Sequence, residues 1–160
     1  MTDVHDTWVV VADGAHARFL AVEPRRDAPR GDTVRLVEHT QLDNPEHTAQ
    51  GRRDARKIKS GRDTARGGTD SHGYTDHRDP HEAELLRRFA VKIAQQLWAL
   101  HTAQGAASVV LVAEPRMLGL LRTAVAPVVK SGVSIRELGR DYTWCAALEL
   151  EQHLAANHLL

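Results

Sequence analysis

Three carboxylates stand where apolar segments end, and such positions suit divalent metal ions. Asp13 and Glu114 each follow a short apolar run directly, and Asp141 follows a third run after two residues. Carboxylates at neighbouring strand ends can hold two Mg²⁺ ions and support in-line phosphoryl displacement, as in a nuclease or hydrolase. The same three residues also suit turns and helix caps. Capping is favoured, because each carboxylate lies at an element boundary and none lies inside a strand.

Histidines form the second group of candidate ligands. His72, His77 and His81 occur with several aspartates in one polar stretch, and imidazole with carboxylate is a donor set that zinc accepts. There is no cysteine pair, no finger-type spacing and no HExxH sequence, so a solvated loop is the favoured interpretation. A nucleophile elbow, a Walker sequence and a GxGxxG sequence are also absent. We expect no metal or other cofactor, apart from the Mg²⁺ of the nuclease alternative. We favour a protein that is not an enzyme.

The basic stretch between residues 52 and 66 carries the clearest chemical signal. It contains two acids, Asp54 and Asp63, and glycines lie within and just after it, at Gly61, Gly67 and Gly68. Long cationic side chains on such a segment can neutralise nucleic-acid phosphates without reading bases. A solvated charge run explains the pattern equally well, so both hypotheses stay open. The seven cations are Arg52, Arg53, Arg56, Lys57, Lys59, Arg62 and Arg66.

Composition sets limits on the class of protein. The chain has 160 residues, enough for one domain with a hydrophobic core, and its 21 Lys and Arg balance its 21 Asp and Glu. Whole-molecule charge therefore steers it toward neither nucleic acid nor membrane. A single cysteine, Cys145, excludes an internal disulfide, and no apolar stretch is long enough for a signal peptide or a membrane span. We expect a cytoplasmic protein with no membrane partner. Its oligomeric state is left open.

The apolar pattern predicts the elements that position these residues. Strands are expected at 8–12, 16–22, 34–42, 108–113 and 133–138. A long helix should begin at Asp79-Pro80, a second at Glu114-Pro115 and a last one after a cap at Asp141 or Thr143. The order βββαβαβα predicts an α/β fold of ribonuclease H-like topology, with a mixed five-stranded sheet ordered 3-2-1-4-5 and helices on both faces. One domain, 1–160, would then carry a long flexible loop at 44–79.

Four segments spread over the chain carry a family resemblance. They are WVVVADGAHARF at 8–19, FAVKIA at 89–94, VVLVAEPRMLGLLR at 109–122 and ELGRDYT at 137–143. Together they resemble the bacterial family named "protein required for attachment to host cells". That family is in turn similar to the central domain of archaeal and eukaryotic class 1 release factors, which shares the ribonuclease H-like topology.

This second resemblance implies a ribosomal partner. In the release factors a Gly-Gly-Gln loop precedes the long helix and reaches the peptidyl transferase centre, and here Gly67-Gly68 also precedes the long helix. Thr69 stands where the glutamine would be, so peptidyl-tRNA hydrolysis is not expected. The leading hypothesis is a non-catalytic adaptor whose loop engages the ribosome, ribosomal RNA or tRNA in translation or stress. The alternatives are the metal-dependent nuclease or hydrolase with Asp13, Glu114 and Asp141, and a protein-interaction module in surface attachment.

Overall fold

The protein is described by a computed structural model that covers residues 6–27, 29, 33–47 and 79–160. Its five strands are β1 (Thr7–Ala12), β2 (His16–Pro24), β3 (Val34–Asp43), β4 (Ser108–Ala113) and β5 (Ser134–Gly139). Its four main helices are α1 (Asp79–Gln104), α2 (Pro115–Ala124), α3 (Ala126–Lys130) and α4 (Ala147–Ala156). A short helical turn at 45–47 follows β3.

The five strands form one mixed sheet in the order β3-β2-β1-β4-β5. β1 pairs antiparallel with β2, and β2 pairs antiparallel with β3. The links between these strands are shorter than a helical crossover, and short links favour hairpins. β4 pairs parallel with both β1 and β5. Helices precede β4 and β5 in the chain, and helical crossovers allow parallel pairing. The predicted α/β fold and strand order are confirmed, and the topology is consistent with the ribonuclease H-like arrangement.

Both faces of the sheet are covered by helices. On one face, which we call the α1 face, Trp8, Val10 and Phe19 pack with buried side chains of α1, α2 and α3. On the other, the α4 face, Val9 and Val110 pack with buried side chains of α4. Every residue of β1 and β4 is buried, which explains their continuous apolar sequences, because a central strand covered on both faces shows no alternation.

Local sequence accounts for several helix ends. The Glu114 carboxylate accepts hydrogen bonds from the backbone N–H groups of Met117 and Arg116 and so caps α2, as predicted. Gly105 adopts a φ of +70° directly after α1, a conformation that glycine tolerates best.

The expected cap of the last helix is wrong. The N-cap of α4 is Ala146, whose side chain makes no capping bond, and residues 143–145 form a turn before it. Asp141 serves this turn instead, since its Oδ1 accepts from both the N–H and the hydroxyl of Thr143. Cys145 also lies in this turn and is half-buried.

A single carboxylate of helix α4, that of Glu151, forms hydrogen bonds at the edge strand β3. Glu151 Oε1 accepts from the backbone N–H of Leu36 at 2.8 Å, and its Oε2 accepts from Arg25 Nη2 at 2.9 Å. The irregularity in β3 opposite Phe19 and Leu20 bends the same edge. Covering and bending are two ways in which proteins blunt an open strand edge against pairing with other chains.

Candidate functional site

The carboxyl ends of β1 and β4 lie side by side, with Ala12 opposite Ala113. Strand β3 runs parallel to β1, because two antiparallel pairings separate them, so β3 ends at this edge too. Helix α1 begins there as well, as contacts of its first turns show below. We call this edge the carboxyl edge. The chain order diverges between β1 and β4, and a crevice at such a point is the usual ligand site of an α/β sheet.

The described chain stops at this edge at residue 47 and resumes at the same edge at residue 79. Asn44 is buried; its backbone N–H donates to the Ala15 carbonyl at 2.8 Å and its side-chain amide to the Gly14 carbonyl at 3.0 Å. His47 Nε2 lies 4.0 Å from Glu82 Oε1, in the first turn of α1. These four residues, Gly14, Asn44, His47 and Glu82, hold the two ends together, and we call them the loop root.

Gly14 is the position that lets the loop root close. A Cβ atom placed there would lie 2.7 Å from Leu86 Cδ2 on α1 and 3.0 Å from His47 Nε2. Any larger residue would push against the helix on one side and the imidazole on the other. Glu82 also lies 3.9 Å from Arg116 Nη1 at the start of α2, so the root joins three elements of the fold.

The three candidate metal-binding carboxylates are engaged locally. Asp13 Oδ1 accepts from the N–H groups of Ala15 and His16, at 2.8 and 2.7 Å, within the β1–β2 turn. Glu114 caps α2 and Asp141 holds its own turn, as described above. Among the residues that the structure describes, no three His, Cys, Asp or Glu side chains are grouped to hold a metal. The nuclease alternative stays a prediction, and the geometry of these residues gives it no support.

Most predicted loop residues lie outside the described part of the chain. They are the seven cations Arg52, Arg53, Arg56, Lys57, Lys59, Arg62 and Arg66, the glycines Gly61, Gly67 and Gly68, and the histidines His72 and His77. His81 is described and is exposed in the first turn of α1.

The beginning of α1 carries an exposed charge cluster. Glu84 receives two hydrogen bonds from Arg87, at 2.6 and 2.9 Å, and one from Arg88 at 3.2 Å. The Arg87 guanidinium is the main cause that lowers the pKa of Glu84 to about 2. The described surface beside the loop root therefore carries both positive and negative charges, and Arg87 and Arg88 are already paired with Glu84.

Trp144 is a feature of the carboxyl edge that the sequence did not reveal. Its ring is 77% exposed and makes an edge contact with His16, whose Nδ1 lies 2.8 Å from Asp43 Oδ1. Arg18 Nη1 donates to the carbonyls on both sides of it, Thr143 at 3.0 Å and Cys145 at 2.6 Å. The sequence Tyr-Thr-Trp-Cys-Ala has a composition typical of a buried segment. It forms a turn that Arg18 holds in place, and the Trp144 side chain of this turn is exposed to solvent.

Comparison with known proteins assigns the chain to a family. The model of the family described as "Protein required for attachment to host cells" matches residues 8–154, which include the five strands apart from Thr7, the first residue of β1. The chain belongs to this host-attachment family. A search of curated proteins found no match to it. Within the described residues, no helix is long and apolar enough to cross a membrane.

Charge is distributed unevenly along the chain. The segment 52–66 has seven cations and two acids, a formal charge of +5, while the whole chain is neutral. The rest of the chain therefore carries −5. A polyanion would meet attraction at this segment and net repulsion elsewhere, which restricts how it could approach.

Proposed function

We propose that the protein is a non-catalytic adaptor that binds the phosphate backbone of RNA through the cations of residues 52–66. The observation that carries this proposal is the +5 formal charge of that segment in a chain of zero net charge. Lys and Arg side chains release condensed counterions when they neutralise phosphates, and this release supplies affinity without base recognition.

The loop root supports the proposal by its position. Because His47 and Glu82 lie close together, residues 48–78 start and finish at the carboxyl edge. The cations are thus tethered to the edge where α/β sheets usually bind ligands.

Ribosomal RNA or tRNA is the partner class that we propose. The reason is the resemblance of the Gly67-Gly68 segment, ahead of the long helix, to the release-factor loop that enters the ribosome. Thr69 in place of glutamine fits binding without hydrolysis, since the side chain that would position the attacking water is missing. The role is then translational or stress-related, and it involves docking only.

Ribosome co-sedimentation with a matched pair of triple variants tests the proposal. The test variant is Arg52→Ala/Arg53→Ala/Arg56→Ala. The control is Arg26→Ala/Lys130→Ala/Arg140→Ala, which removes the same charge from exposed residues that form no ion pair within the described part. We expect co-sedimentation to be lost in the first variant and retained in the second. Equal retention in both variants would end the proposal.

A protein partner is the second candidate, and Trp144 is the observation that favours it. Trp144, in the turn before α4, and Leu148, in the first turn of α4, are both exposed large apolar residues. Asp43 pairs with the His16 ring that contacts Trp144, and Asp141 and Glu149 lie near the adjacent Cys145. The nearby cation, Arg18, is paired with Glu38. An exposed indole among carboxylates suits an arginine or lysine of a basic protein segment, through cation–π contact and charge attraction.

Trp98 supplies the control for this second candidate, because it is also partly exposed but lies on α1. An arginine-rich peptide should change the intrinsic fluorescence of the wild type and of Trp98→Ala, and should leave Trp144→Ala unaffected. If Trp98→Ala loses the response and Trp144→Ala keeps it, the surface has been assigned to the wrong tryptophan.

A further inference from the structure

Three hydroxyl side chains lie in one row at the edge opposite the carboxyl edge. Thr7 of β1 is in register with Ser108 of β4, and Ser108 is in register with Ser134 of β5. Residues two apart on a strand share a face, so Thr7 and Ser108 lie on the same face as Val9 and Val110, which is the α4 face. The row therefore crosses three parallel strands on one side of the sheet.

Two of these hydroxyls belong to buried residues but open onto a pocket. Thr7 is 7% exposed and Ser108 is 4% exposed, yet neither side chain makes a hydrogen bond with any other residue in the described ranges. Both residues line an open pocket of about 400 Å³, so their hydroxyls have access to whatever fills it.

A cation completes the polar wall of this pocket. Arg136 lies two residues after Ser134, on the same face, and lines the same space. It is exposed and forms no ion pair with the rest of the described chain. The opposite wall is apolar, with Val22, Val34 and Leu159 among its residues. A guanidinium with neighbouring hydroxyls is a donor set for the two oxygens of a carboxylate, and the apolar wall suits a hydrocarbon tail.

We propose that this pocket binds a small aliphatic monocarboxylate, with its carboxylate on Arg136 and the hydroxyls of Thr7, Ser108 and Ser134, and with its tail against the apolar wall. A single charge on the ligand matches the single cation. The volume lies within the range of small-molecule sites. The site is at the opposite edge of the sheet from the loop root, so it does not depend on the proposed RNA binding.

Isothermal titration of the full chain with octanoate tests this inference, with octanol and inorganic phosphate as companion probes. Saturable octanoate binding is expected, with octanol and phosphate at least tenfold weaker, since each lacks either the charge or the tail. Arg136→Gln should weaken octanoate binding about tenfold or more, the effect of losing a charge-assisted hydrogen bond. Arg140→Gln, which removes an exposed arginine four residues along, should bind as the wild type does.

Several results would overturn the assignment. Absence of saturable octanoate binding to the wild type would remove the site. Equal octanoate affinity in Arg136→Gln and the wild type would show that binding occurs elsewhere, as would an equal loss in Arg140→Gln. Phosphate binding as tight as that of octanoate would show an anion site without a tail subsite. Thermal unfolding of each variant, with an unchanged midpoint, ensures that a lost signal reports the pocket and not the fold.

Discussion

Removing the Glu151 carboxylate should loosen α4 from the edge of the sheet. Its side chain is 13% exposed and accepts two hydrogen bonds, from the Leu36 N–H and from Arg25. We consider two substitutions. Glu151→Ala removes both bonds and leaves the Leu36 N–H without its partner, whereas Glu151→Gln keeps an oxygen that can accept from Leu36.

The two bonds contribute unequally. A hydrogen bond from a partly buried amide to a charged carboxylate contributes about 1.5–3 kcal/mol. The Arg25 pair contributes less, about 0.5–1 kcal/mol, because the Arg25 side chain is 39% exposed and solvent screens it. We therefore expect Glu151→Ala to lower the free energy of unfolding by about 2–4 kcal/mol, and Glu151→Gln by about 1–2 kcal/mol.

Urea unfolding followed by circular dichroism measures both values, with unchanged m-values as the condition for comparing them. Glu149→Ala is the control, because Glu149 is exposed in the first turn of the same helix and forms no hydrogen bond or ion pair with another described residue. It should cost less than about 1 kcal/mol. If Glu151→Ala unfolds within about 0.5 kcal/mol of the wild type, which is the usual range for neutral surface changes, the proposed fastening of α4 is refuted.

Three further predictions concern single residues. Gly119→Ala in α2 should raise the free energy of unfolding by about 0.5–1 kcal/mol, because an added Cβ meets nothing within 4 Å; a loss of stability in urea unfolding would contradict this. The Arg87 guanidinium lowers the pKa of Glu84 from 4.5 to about 2, so the stabilisation by the ionised Glu84 is complete above pH 4.5 and disappears as the pH falls toward 2. Glu84→Gln should make the free energy of unfolding less dependent on pH between pH 5 and 2. An unchanged slope of that free energy against pH would count against the pairing. Burial raises the pKa of the Cys145 thiol, so a thiol reagent at pH 8 should label the folded chain more slowly than the urea-unfolded chain, and equal rates would contradict it.

The fold was predictable because its central strands have an unambiguous pattern. The runs at 8–12 and 108–113 are continuously apolar, as strands covered on both faces must be, and the helices between later strands require parallel pairing. Glu114 was also predictable as a cap, since its bonds are to the next residues along the chain. Interactions between residues that are close in sequence can be predicted from the local sequence.

Features that depend on distant residues were not predictable. The final helix begins at Ala147, later than Asp141 or Thr143, because Arg18 on β2 holds the preceding turn by two carbonyls more than a hundred residues away in sequence. The exposure of Trp144 follows from the same contact. The hydroxyl row of Thr7 and Ser108 exists only through the register between strands. No local pattern encodes such pairings.

The salt dependence of RNA binding tests the role of residues 52–66 most directly. Binding of a single-stranded RNA, measured by fluorescence anisotropy over a range of salt concentrations, should weaken steeply with salt. If all seven cations contact phosphates, the slope of log K against log salt should approach about −5, at roughly −0.7 per contact. The Arg52→Ala/Arg53→Ala/Arg56→Ala variant should reduce that slope by about 2. Binding that is insensitive to salt, or an identical slope in this variant, would contradict the proposed contacts.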